Sequence, residues 1–95
     1  MSEYEDKYKR LGLESRLNKL KEELGECLVA ACHFPDGKAK SGDLIEELAD
    51  VFILTYQIVD IMDVKKEFDN CIDYKKNKFM ENAWLKLILS LINLD

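Results

Sequence analysis

Two short acidic runs carry the chemistry that this sequence can offer. They are Glu22-Glu23-Leu24-Gly25-Glu26 and Glu46-Glu47-Leu48-Ala49-Asp50. On helices turning about 100° per residue, Glu23 and Glu26 project about 60° apart, and so do Glu47 and Asp50. Each pair therefore leaves one side of its helix, one turn apart. The positions four residues after Glu23, Glu26, Glu47 and Asp50 are Cys27, Ala30, Val51 and Leu54, where a solvated helix face more often places Lys or Arg. Lys19 can reach Glu23, but none of the other three has a cation four residues away on either side. Glu22/Glu26 and Glu46/Asp50 are like-charge pairs at i,i+4, which weaken a helix unless something positive lies between them. The neighbourhood is apolar: Asp50 shares its side with Ile53, Leu54, Gln57 and Ile61, and Glu26 sits beside Val29 and Ala30.

Carboxylates on an apolar face must be paired, protonated or bound to a cation. Oxygen ligands from two antiparallel helices suit Mg²⁺, with Mn²⁺ as a substitute, and a helical bundle interior is a known setting for such a site. The competing reading is a pair of solvated acidic faces. A di-iron bundle would need Glu-x-x-His motifs, and the only histidine, His33, lies outside both runs. A zinc site from Cys27, Cys32 and His33 is disfavoured, because the two cysteines point about 140° apart on a helix and no second Cys/His group follows.

The elements that must position these acids are helices. Residues 2–10 read as either a short helix or a frayed arm, interrupted at Leu11-Gly12. A long helix from about Leu13 to His33 follows, with an apolar stripe of Leu13, Leu17, Leu20, Leu24, Cys27, Leu28 and Ala31 at one-face spacing. Phe34-Pro35-Asp36-Gly37 ends it, and a polar loop runs to Gly42. Asp43 with Glu46 has capping-box spacing for a second helix reaching about Met62, which gives Glu46 a structural role. Asp63 is the expected N-cap of a third helix with Val64, Phe68, Cys71, Ile72 and Phe79 inside. A separate apolar helix is expected at about 83–93. The result is an all-α, four-helix arrangement in a single domain, residues 1–95.

Composition narrows the classes. The 95 residues carry 19 acids and 14 bases, a net charge of −5, whereas a general nucleic-acid binder needs a basic surface. Three cysteines cannot all pair internally, which points away from a secreted disulfide scaffold and towards a reducing, cytoplasmic setting. No signal-peptide pattern and no apolar run near 18 residues is present, so no membrane partner is expected. Residues 27–31 and 51–54 are apolar all round the helix. In a chain this short, that argues for completion of the bundle by homo-oligomerisation, as a homodimer or homotetramer. A monomer whose tail covers its own core is the alternative.

Glu22-Glu23-x-x-Glu26, a spacer of 20 residues, then Glu47-x-x-Asp50 resembles the motif pair of the all-alpha, MazG-like nucleoside triphosphate pyrophosphohydrolases. The flanking words KEELGECLVA (21–30) and DLIEELADVFILTYQ (43–57) are similar to the two core helices of small, phage-type members. The likeness runs over residues 11–78. It implies a MazG-like bundle in which Glu23, Glu26, Glu47 and Asp50 ligate Mg²⁺. It also implies hydrolysis of nucleoside triphosphates, often deoxy ones, to the monophosphate and pyrophosphate. Glu22 and Glu23 are the catalytic acids it implies; Glu22 orients a water or binds a second metal, and the proton acceptor is Glu22 or a ligand carboxylate. Tyr74-Lys75-Lys76-Asn77-Lys78 resembles the family's basic element, so Lys75, Asn77 and Lys78 become candidate substrate contacts, against a solvated basic helix end. Two features depart from the pattern. Relatives often carry an aromatic residue and a Gln ahead of the first acids, where this chain has Leu11 and Arg16, and the tail after Lys78 is apolar where many relatives are basic. His33, Phe34 and Trp84 can stack on a base or simply pack. The rival functions are a catalytically silent nucleotide- or protein-binding bundle of the same fold and a plain helical interaction protein.

Overall fold

The computed structural model describes residues 2–92, and these are all-helical, with no strand among them. The elements are α1 (Glu3–His33), α2 (Ser41–Met62) and α3 (Lys65–Leu91). They fall into two compact units, Met1–Asp63 with α1 and α2, and Val64–Asp95 with α3.

In the first unit, α1 begins at Ser2, whose hydroxyl accepts the Glu5 amide at 3.1 Å. Three acids in the first turn, Glu3, Glu5 and Asp6, suit the positive end of the helix dipole. The N-terminal stretch is therefore helix rather than frayed arm. Gly12 breaks the run with φ 84° and ψ 168°, a conformation open to glycine and costly for other residues. Beyond it the helix continues to His33. Gly37, at φ 72°, turns the connecting loop, where its amide donates to the Phe34 carbonyl at 3.1 Å and the Lys38 amide donates to that of His33 at 3.0 Å.

Rising numbers on α1 meet falling numbers on α2: Tyr8 meets Asp60, Arg16 meets Gln57, and Glu23 meets Asp50. The two helices thus form an antiparallel hairpin. Tyr8, Ala30, Leu54, Ile58 and Val59 are its buried apolar residues. The Tyr8 hydroxyl donates to the Asp60 carboxylate, and Lys9 adds an ion pair to Asp60 at 3.5 Å. That hydrogen bond to Asp60 is the main cause that pushes the Tyr8 hydroxyl pKa up to about 12, and it lowers the Asp60 carboxyl below its ordinary value.

Four local expectations are corrected. First, α2 starts one turn before the expected cap: Lys40 is the N-cap, and Asp43 at the third position accepts the Lys40 amide at 3.0 Å. Glu46 therefore lies inside the helix, exposed, with no capping role. Second, Asp63 ends α2 rather than starting α3. It adopts the left-handed conformation (φ 55°), its amide reaching the Asp60 and Val59 carbonyls, and Val64 caps α3. Asp tolerates that conformation better than most side chains. Third, the separate helix at 83–93 is absent among the described residues, because Met80-Glu81-Asn82-Ala83 contains no helix breaker and α3 runs unbroken to Leu91. Asn93 lies outside the described residues. Fourth, the expected inner stripes are largely uncovered: Leu13, Leu17, Leu24 and Leu28 are exposed, and no residue of α3 is buried. Leu20 and Cys27 of the expected stripe are half-buried, and the buried α1 positions beyond Gly12 are Glu23 and Ala30.

Candidate metal centre

Glu23 projects from the middle of α1 onto α2. It is 6% exposed, the one buried acid among the described residues. Its Oε1 takes an ion pair from Lys19 at 3.3 Å, one turn earlier, and Lys19 also meets Glu22 at 3.3 Å. Its Oε2 is buried with no hydrogen-bond partner, and so is Oε2 of the half-buried Glu47. A buried carboxylate oxygen without a donor carries an uncompensated desolvation cost.

Two overlapping triads surround these oxygens. Single carboxylate oxygens of Glu23, Glu47 and Asp50 lie within 4.8 Å of one another, and those of Glu22, Glu23 and Glu26 do the same. Glu23 belongs to both. All five candidate acids thus gather where the middle of α1 faces the first half of α2. Lys19 is the one cation ion-paired with them among the described residues.

The crowding is visible in the protonation of the group. Burial, then the charges of Glu26 and Glu23, push the Glu47 carboxyl up to about 7. The Glu23 charge raises Glu26. For Glu23 burial is the largest single influence and acts upward. Lys19, through its hydrogen bond and its charge, is the chief opposing influence, and the carboxyl lies below its usual value. Lys19 is correspondingly raised by its hydrogen bonds to Glu23 and Glu22.

A pH dependence follows. An acid whose pKa is higher folded than unfolded binds more protons in the native state, so it costs stability as pH rises from the unfolded value to the folded one. For Glu47 that window runs from about 4.5 to about 7. In chelator, the melting temperature of the wild-type chain should fall across it relative to Glu47→Gln. A wild-type curve parallel to that of the variant would contradict the assignment.

The donor set fits a hard divalent cation. It consists of carboxylate oxygens only, two of them buried without donors, on two packed helices. No candidate group among the described residues includes a histidine or cysteine, and Cys27, Cys32 and Cys71 are all free. Family models, curated proteins and solved structures give no match to this chain. The site must therefore be read from its own geometry.

The other sequence candidates lie elsewhere. Lys75, Asn77 and Lys78 are exposed on α3, in the second unit, where Lys75 borders an apolar groove of about 540 Å³ lined by Phe68, Ile72 and Phe79. His33, Phe34 and Trp84 are exposed. Sequence reasoning missed a polar chain beside the acids. Gln57, 7% exposed, donates to the Tyr4 hydroxyl at 3.0 Å and accepts from Arg16 Nη1 at 3.4 Å. The signal was a lone glutamine on the otherwise apolar side of α2 that carries Asp50.

Proposed function

We propose that the chain is a Mg²⁺-dependent nucleoside triphosphate pyrophosphohydrolase of the MazG-like, all-helical kind, converting (d)NTP and water to (d)NMP and pyrophosphate. The observation that supports this most is the buried pair of donorless oxygens, Glu23 Oε2 and Glu47 Oε2, within a set of five acids that one lysine serves. Such a set is poorly stable empty and well suited to a divalent cation.

Glu23, Glu26, Glu47 and Asp50 would hold the cation, Glu23 being the acid common to both triads. When bound, Mg²⁺ supplies charge neutralisation for the triphosphate and lowers the pKa of water. Glu22 is exposed at the rim, oriented by Lys19 at 3.3 Å. Its carboxylate, or one of the ligand carboxylates, accepts the proton of the attacking water. The water oxygen bonds to the α-phosphorus, the bond from that phosphorus to the α,β-bridging oxygen breaks, and the electron pair leaves with pyrophosphate. Lys75, Asn77 and Lys78 are kept as candidate contacts for substrate phosphates, as the family resemblance implies.

The bundle is completed by a second copy of the chain. Ile45, Leu48 and Phe52 on α2, with Leu17, Leu24 and Leu28 on α1, leave an apolar surface on the hairpin that water covers poorly. That surface also favours a second reading, a catalytically silent bundle that binds nucleotide or protein. A screen of pyrophosphate release across the common dNTPs and NTPs separates the two. Release that requires Mg²⁺ and stops with chelator is expected. Mg²⁺-dependent nucleotide binding without any release would establish the silent bundle instead.

A further inference from the structure

Arg16 and Lys19 precede Glu23 by seven and four residues, so all three share one face of α1 over two turns. With Asp50, Gln57 and Leu54 they line a cavity of about 170 Å³ directly beside the carboxylates. Its lining carries two cations, Arg16 and Lys19, and two acids, Glu23 and Asp50. Arg16 is half-buried yet makes no ion pair among the described residues. Its Nη1 reaches Gln57 Oε1 at 3.4 Å and its Nη2 the Ser15 hydroxyl at 3.2 Å, both neutral acceptors, and its Nε is buried with no partner.

A guanidinium withdrawn from water without a carboxylate calls for an anion. Gln57, anchored by Tyr4 on its other side, fixes where the guanidinium lies. The planar fork matches two oxygens of a phosphoryl group. Glu23 and Asp50 line the same cavity at more than ion-pair distance from Arg16, which leaves room for a group that is negative toward Arg16 and bridged by a cation toward the acids.

We infer that Arg16, supported by Lys19 and set by Gln57, is an oxyanion subsite of the carboxylate centre that takes the pyrophosphate portion of a metal-complexed polyphosphate. This rests on the metal-centre reading above and adds to it a phosphate contact on the same two helices as the acids. It places recognition on the anionic leaving group, which all nucleoside triphosphates share, rather than on the base.

The test is calorimetric titration of inorganic pyrophosphate, with Mg²⁺ present, into the full chain, Arg16→Gln and Arg16→Lys. Loss of a charge-assisted contact should raise the pyrophosphate Kd at least about tenfold in Arg16→Gln. Arg16→Lys keeps the charge but loses the fork, and should restore the affinity only in part. Mg²⁺ titrated alone should bind both variants as it binds the wild type. An unchanged pyrophosphate Kd in Arg16→Gln overturns the inference, as does a wild-type chain that binds Mg²⁺ but no pyrophosphate. If Arg16→Gln does not fold, an unchanged Kd in Arg16→Lys overturns it equally. A wild-type chain that binds pyrophosphate through Arg16 yet hydrolyses no nucleotide leaves the subsite standing and removes the hydrolase reading. Turnover with a KM indifferent to Arg16 does the reverse.

Discussion

Glu23→Gln should lose its response to Mg²⁺ and its turnover together while keeping its fold. Glu23 is the acid common to both triads and the most buried of the five, so its replacement removes a ligand from each. A ligand that binds only the native state at a hundredfold excess over Kd stabilises it by about 2.7 kcal/mol. For a domain of this size that is a rise in melting temperature of about 10–20 °C. Wild-type protein should show such a rise on adding millimolar Mg²⁺, and Glu23→Gln only a small remnant of it. Pyrophosphate release should fall at least about a hundredfold, because even residues that merely support metal ligands cost tenfold to a hundredfold when replaced. Without metal the variant should keep the wild-type far-UV helical signal, since Gln preserves the size of the side chain and Lys19 keeps its contact with Glu22. A variant with lower apo stability and an intact Mg²⁺ response would show Glu23 to be a structural acid.

Phe52→Glu should abolish the proposed self-association and leave the far-UV helical signal unchanged. Phe52 is 63% exposed in the single chain, and its ring packs 4.8 Å from that of Tyr56, centroid to centroid. Leu48 and Ile45 lie one and two turns before it on the same stripe. Within one chain a carboxylate at this position meets water and costs little. At a subunit interface it would be buried among apolar groups without a partner, at several kcal/mol per copy. Analytical ultracentrifugation at micromolar concentration should therefore find a homodimer or homotetramer for the wild type and a monomer for the variant. A monomeric wild type would contradict self-association, and Leu28, 65% exposed on α1, would then lack the proposed cover.

The two acidic runs could be placed from sequence because helical geometry is rigid. Once Phe34-Pro35-Asp36-Gly37 marks a turn between two long periodic segments, Glu23 and Asp50 can sit at similar distances from it and meet in an antiparallel pair. What the pattern could not convey was rotation. Of the expected α1 stripe, Leu20 and Cys27 are half-buried, but Leu13, Leu17, Leu24, Leu28 and Ala31 are exposed, and the buried positions are Glu23 and Ala30. Periodicity identifies an apolar face without saying what covers it. Helix ends failed for a related reason, since Asp63 serves as well in a left-handed C-cap as in an N-cap and Asp43 as well at the third position as at the first. Arg16 was visible only as a departure from the family pattern. Its buried, unpartnered Nε exists only once α2 lies over it.

In the proposed reaction this acidic centre directs water to the α-phosphorus of a nucleoside triphosphate. Phosphorus NMR of a dNTP incubated with the protein and Mg²⁺ tests it most directly. Nucleoside monophosphate and pyrophosphate should appear in equal amounts, with neither forming in chelator or with Glu23→Gln. Diphosphate and orthophosphate as products, or an unchanged triphosphate spectrum across the nucleotide panel, would contradict it.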